Sequence, residues 1–224
     1  MDAASLVREM SNEMKDLEET LRVHAYPAKV AEGSIGKTAL QKFAGEQFHI
    51  IRSDLRSVAA LVTRFGALPS REYFWNILQG EKAALEALKA LAAALGVSEN
   101  WLDSYDPTPK GQAYTAYLAW LGSYGGQGQV AAALLVNFPA WGYNCGRMSS
   151  ALKSRHGLKD SEVAFFDLFA SPPPDLEESG LAVIAAGLAA GETPLEIKRA
   201  ARLLQAYELM FWDGMLEIAL PSSR

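Results

Sequence analysis

No stretch of this chain alternates apolar and polar residues with the period of two that a half-buried strand requires. Apolar residues recur instead at helical spacing over most of its length, in a background rich in Ala, Leu, Glu and Lys. That confines the fold to helices packed on helices. Gly, Pro and capping residues then divide the chain. A first helix fits Ser5 to about Arg22, and HAYPAKVAEGS links it onward. Ser34 can cap a long helix to about Phe65, and GALPS breaks the chain before a helix from Ser70 to Leu95, stopped by Gly96. A turn around WLDSYDPTP leads to Thr108-Pro109, which opens a helix to Tyr124, ended by Gly125-Gly126. A long helix from Gln127 to Arg155 should bend at Pro139, where a backbone donor is missing. Further helices fit Ser161–Ala170, Leu176–Ala190 and Thr193–Leu220. No linker or repeat divides residues 1–224, so one all-α domain is expected, a bundle of about seven to nine helices.

Charge and composition exclude several functions. The 21 Lys and Arg against 26 Asp and Glu give a net charge of −5, which lacks the basic surface that nucleic acid requires. No run of 18 apolar residues could cross a membrane. The charged N-terminus MDAASLVREMSNEMKDLEE has no apolar signal core, so a cytoplasmic location is expected. Cys145, alone of its kind, excludes an internal disulfide framework and a Cys-rich zinc site.

The informative residues are polar side chains on apolar stripes. Leu40, Phe43, Val58, Leu61 and Phe65 share one face of their helix, and Gln47 and Asp54 fall on that face. Buried polar groups are costly unless paired, so the two indicate either an internal hydrogen-bond network or a polar pocket. Glu208 interrupts the stripe Leu204, Phe211, Met215. There it is either half of a buried ion pair or a carboxylate lining a pocket, with its pKa raised toward the range useful for proton transfer. Leu134, Phe138, Trp141, Cys145, Met148 and Leu152 form another stripe, with Asn137 at its edge as a candidate ligand contact. Cys145 reads there as a small core residue rather than a nucleophile, since no base on its own helix could activate it. Tyr114, Tyr117 and Trp120 in AYTAYLAW supply aromatic surface that reads as core.

Glu46 and His49 make an E-x-x-H pair, the spacing found in carboxylate-bridged di-iron bundles. Such a centre needs a second pair and more carboxylates. The sequence has no second pair, and no Asp or Glu between Asp106 and Asp160. His49 is also turned about 160° from the core stripe. No metal and no cofactor are expected, and no phosphate loop or Ser-His-Asp order is present.

Taken together, AEGSIGKTALQKFAGEQF, the AYTAYL helix, AAALL followed by WGY, and YELMFWDGM resemble the TenA/thiaminase II family of the heme-oxygenase-like superfamily. The resemblance runs from about residue 30 to residue 216. It implies an up-and-down helical bundle with one buried pocket per subunit, assembled as dimers or tetramers. Members hydrolyse thiamin or salvage its aminopyrimidine half. In them a Cys attacks or assists at the pyrimidine, a Glu on the last helix moves protons, and an Asp on the second helix grips ring nitrogens. Carried over by position, Glu208 matches the catalytic Glu and Tyr114 a pocket tyrosine. The ring-binding Asp is replaced by Gln47, which can still make two hydrogen bonds but cannot balance a protonated ring. A tyrosine one turn later is Ile50, and the nucleophilic Cys falls on Asn137 or Pro139.

The expected ligand is thus a small heterocycle held among Gln47, Asp54, Tyr114, Asn137 and Trp141, with Glu208 as the catalytic group. The alternative is a binding or accessory protein that retains the pocket without chemistry. A homodimer or homotetramer is expected, because alanine-rich faces such as ALEALKALAAAL let helices approach closely. Light scattering at micromolar concentration should give at least twice the chain mass of 24.3 kDa.

Overall fold

The computed structural model describes residues 2–220 and contains eleven helices and no strand among them. In chain order these are α1 (Ala3–Glu13), α2 (Lys15–Arg22), α3 (Ala25–Glu32), α4 (Lys37–Arg64), α5 (Ser70–Ala94), α6 (Glu99–Ser104), α7 (Pro109–Tyr124), α8 (Gln127–His156), α9 (Asp160–Ala170), α10 (Leu176–Ala189) and α11 (Pro194–Ala219). The all-α class and the long helices agree with the apolar periodicity. The extra segments all lie before residue 105. The first expected helix is broken at Met14 (φ −102°, ψ 9°) into α1 and α2. The HAYPAKVAEG link is itself helical, because Tyr26 and Val30 are buried and His24 Nδ1 accepts from the Tyr26 amide at 3.2 Å. Ser34 does not cap α4. Its hydroxyl donates to the Lys29 carbonyl at 3.1 Å and so closes α3, and α4 starts after Gly36.

Local chemistry sets the other ends. Thr108 caps α7 at the Gly111 amide (3.0 Å), with Pro109 in the first turn. Thr193 and Glu196 form a capping box on α11: Glu196 Oε2 accepts from the Thr193 amide at 2.9 Å. The helix α8 continues through Pro139. A Cβ at Gly142, three residues on, would lie 2.6 Å from the Phe169 carbonyl oxygen, so glycine there lets α9 pack directly on α8.

The core has two apolar halves. One centres on Tyr26, Phe43, Phe165, Phe166, Phe211 and Trp212; the other gathers Leu6, Met10, Phe74, Val130, Ile184 and Leu204. Tyr114 packs against both. The helix α4 packs on α5 and α7, and α11 on α7 and α8, so these five helices surround the junction between the halves.

Glu46 and His49 are both spent on holding this arrangement. Glu46 is completely buried and accepts from the Thr108 amide (2.7 Å), Gln112 Nε2 (2.9 Å) and the Tyr105 hydroxyl (3.2 Å). His49 Nε2 pairs with the Leu102 carbonyl at 3.1 Å. Gly111 makes room for the carboxylate: a Cβ there would stand 2.1 Å from Glu46 Oε2. One side chain of α4 thus fixes the α6–α7 connection and the first turn of α7 by three bonds. Replacing Glu46 by Ala orphans three donors, so it should destabilise the protein by about 3 kcal/mol or more. Urea denaturation checks this through a lower midpoint at unchanged slope.

Candidate functional site

A cavity of about 50 Å³ lies at the junction of the two core halves. Each surrounding helix presents one face to it. From α4 come Gln47, Ile50, Ile51, Asp54 and Val58, spaced three, four and seven apart on one side of the helix. From α5 come Ile77 and Glu81, and from α7 Tyr114 and Leu118, in both cases one turn apart. The wall is completed by Leu134, Asn137, Phe138 and Trp141 of α8, Phe169 of α9, and Glu208 and Phe211 of α11. All six side chains that the sequence singles out, Gln47, Asp54, Tyr114, Asn137, Trp141 and Glu208, line this one cavity. Gln47, Asp54, Asn137 and Glu208 are each at most 4% exposed. Phe138 and Phe169 also line an outer groove, with Pro172, Pro173 and Pro174, so they form the wall between the cavity and the surface.

A continuous polar chain crosses the cavity. The Tyr114 hydroxyl donates to Asn137 Oδ1 (3.3 Å), and Asn137 Nδ2 donates to Glu208 Oε2. The Trp212 indole N–H donates to Glu208 Oε1 at 2.9 Å. Both oxygens of Glu208 therefore face neutral donors, and the buried ion pair that its stripe position allowed is not what the structure contains. Burial pushes the Glu208 carboxyl up to about 7, while the bonds from Trp212 and Asn137 pull the other way. Burial first, then the charges of Asp54 and Glu208, keep Tyr114 well above the usual phenol range, so it acts as a neutral donor.

A second acidic group lies between α4 and α5. Asp54 accepts from the Thr115 hydroxyl, yet burial raises its pKa. Glu81 is raised by burial and then by the charge of Asp54, and its Oε2 is shielded with no hydrogen-bond partner. None of the residues lining the cavity is Lys, Arg or His. Sequence reasoning missed Glu81, although the signal was present. It interrupts the stripe Phe74, Ile77, Ala84, Leu88, Leu91 on α5, as Glu208 interrupts its own stripe on α11. Phe169, also unanticipated, comes from the run VAFFDLFA at residues 163–170, where nothing distinguishes it from the phenylalanines at 165 and 166.

Other expected features fall outside the cavity. Cys145 is completely buried but does not line it, and desolvation above all holds its thiol well above the usual range. The run AYTAYLAW divides, because of its three aromatic rings only Tyr114 lines the cavity. Trp120 is half exposed and stacks on Tyr117 at 5.7 Å, so Trp120 is surface rather than core, while Tyr117 is half-buried against the core. Glu46 and His49 are engaged as described above, and the described residues contain no cluster of three or more His, Cys, Asp or Glu that could hold a metal ion. None of their helices is long and apolar enough to cross a membrane.

The bundle has a heme-oxygenase-like fold, as it aligns with a domain of that fold from Shewanella denitrificans (16% identity, TM-score 0.73, 97% of this chain and 93% of that one). The sequence matches the TENA/THI-4/PQQC family over residues 11–218, and the chain belongs to that family. Solved structures with the same fold include a TenA homologue from Pyrococcus furiosus (21% identity, TM-score 0.72, 94% of this chain and 99% of that one). A TenA homologue from P. horikoshii aligns at 14% identity and TM-score 0.78, covering 95% and 99%. A putative TenA-like thiaminase from Sulfolobus solfataricus aligns at 15% identity and TM-score 0.70, covering 94% and 95%. No curated protein sequence matches the chain.

The cavity acids give a pH signature. Asp54, Glu81 and Glu208 have folded-state pKa values raised above the unfolded value of about 4. Between the two values the folded chain holds protons that the unfolded chain has released. Their contribution to stability is therefore fully present below about pH 4 and is lost as pH rises through the folded values. Glu81→Gln removes one such group. Its stability relative to the parent should rise between pH 5 and pH 8, by at most about 1.4 kcal/mol per pH unit, and its melting temperature should rise with it. Parallel thermal melts across that range measure the gap.

Proposed function

We propose that the cavity takes a small heterocycle and that the chain hydrolyses a carbon–nitrogen bond on it, with Glu208 as general acid–base. The observation that carries this reading is the Glu208 carboxyl itself. It is buried on the cavity wall, held at both oxygens by Asn137 and Trp212, and poised near neutrality. A group with a pKa near the working pH can both take and return a proton. As carboxylate it removes a proton from water, whose oxygen adds to the carbon bearing the leaving nitrogen. As carboxylic acid it then delivers that proton to the departing nitrogen, and the carbon–nitrogen bond breaks. Water serves as nucleophile because no thiol lines the cavity.

Gln47 and Asn137 present amides to a ring, and Trp141 offers an aromatic face. Membership of a family whose relatives include a putative TenA-like thiaminase supports thiamin or its aminopyrimidine half as the first substrates to try. A second reading, a binding protein without turnover, rests on Asn137. It occupies a position where the resemblance places a nucleophilic Cys, and its amide is engaged by Glu208 and Tyr114.

Glu208→Gln keeps the volume and removes proton transfer. It should lower the hydrolysis rate of thiamin or an aminopyrimidine analogue by about 10²–10⁴ while leaving binding near the parent value. Cys145→Ala should cost packing stability and little rate. Steady-state kinetics on the parent and both variants measures this. A rate lost in Cys145→Ala and normal in Glu208→Gln would reverse the roles, and a parent that binds without turnover is the binding protein of the second reading.

A further inference from the structure

We propose that the part of the cavity between α4 and α5 is a subsite for an organic ammonium group, so that the ligand carries a protonated amine on an apolar or aromatic body. The inference rests on the proposed use of this cavity as a ligand site and names the class of ligand it takes. Asp54 and Glu81 project into the same cavity from two helices packed side by side. Glu81 Oε2 is fully buried and has no donor. A buried acceptor left empty costs about 1–3 kcal/mol, and a chain of this size has many ways to fill it with a protein donor. The Thr115 hydroxyl goes to Asp54 instead.

The rest of the wall fits the same ligand. Ile50, Ile51, Val58, Ile77 and Leu118 surround the two acids with hydrocarbon, so whatever reaches them carries an apolar body. Tyr114 and Trp141 supply ring faces, to which a cation is attracted. No cationic side chain lines the cavity to neutralise the acids from within. An inorganic divalent cation suits the site less well. It takes six to eight oxygen ligands, and two carboxyls and one hydroxyl among aliphatic side chains fall short of that. An ammonium group needs only three acceptors, which one or both oxygens of Glu81 together with Asp54 provide. The upward shifts of both acids agree with a pair that lacks its counter-charge.

Benzylamine and benzyl alcohol share ring, length and shape and differ in charge at one end. Titration calorimetry with each on the full chain at pH 7.5 should show benzylamine binding at least tenfold tighter. Glu81→Gln and Asp54→Asn should each bring that ratio close to one. Equal affinities in the parent, no binding of benzylamine, or a tenfold preference that survives both substitutions would overturn the proposal. Measuring the parent with both probes decides it even if a substituted chain fails to fold. The ratio involves no turnover. It can therefore hold where hydrolysis fails, and it can fail in a chain that hydrolyses an uncharged heterocycle.

Discussion

Glu46 determines where everything else in the cavity stands. A carboxylate with no exposed surface survives only if its oxygens are filled, and Tyr105 and Thr108 of the α6–α7 connection and Gln112 of α7 fill them. The bonds fix α7 against α4 both along and around its axis. Thr115 is then brought to Asp54, and Tyr114 to Asn137, within the first two turns of α7. Gly111 belongs to the same device, since any side chain there would displace the carboxylate. The E-x-x-H pair, which in other bundles serves a metal centre, is here a structural tie.

The chain treats its buried carboxyls in two ways. Glu46 is surrounded by donors and contributes to the fold. Asp54, Glu81 and Glu208 face a cavity with few donors and no cation, and desolvation raises all three. Such groups lower stability at neutral pH, and a fold tolerates them where binding or chemistry uses them. Apolar residues on the same faces would pack without that loss.

The sequence makes the long helices legible because their apolar stripes and caps are local signals. Thr108-Pro109 places the start of α7 to the residue, and Thr193, read as the start of the last helix, is the cap one residue before α11. Gln47, Asp54, Asn137 and Glu208 were legible for a related reason: a polar side chain on an apolar stripe stands out in one dimension, whereas Tyr114 was marked by the family resemblance. Glu81 obeys the same rule and was overlooked among the neighbouring charges Lys82 and Glu86. Short helices and long-range ties were not legible. The Met14 break, the closing role of Ser34 and the three partners of Glu46 depend on what the rest of the chain places beside them. The split of AYTAYLAW into one cavity-lining ring, one half-buried ring and one exposed ring is also settled by tertiary packing rather than composition.

The wall formed by Phe138 and Phe169 has a kinetic consequence. An engineered cavity of about 150 Å³ admits benzene, and the 50 Å³ present here does not hold a six-membered ring. A ring can therefore be held only with part of the wall moved outward, and Phe138 and Phe169, which also face the proline-lined groove, are placed to make that room. Association then has two steps, an opening that is independent of ligand and a capture that is not. At high ligand concentration the observed rate levels off at the rate of opening, well below the diffusional limit. Selectivity in time would then lie with two phenylalanines that make no polar contact with whatever binds.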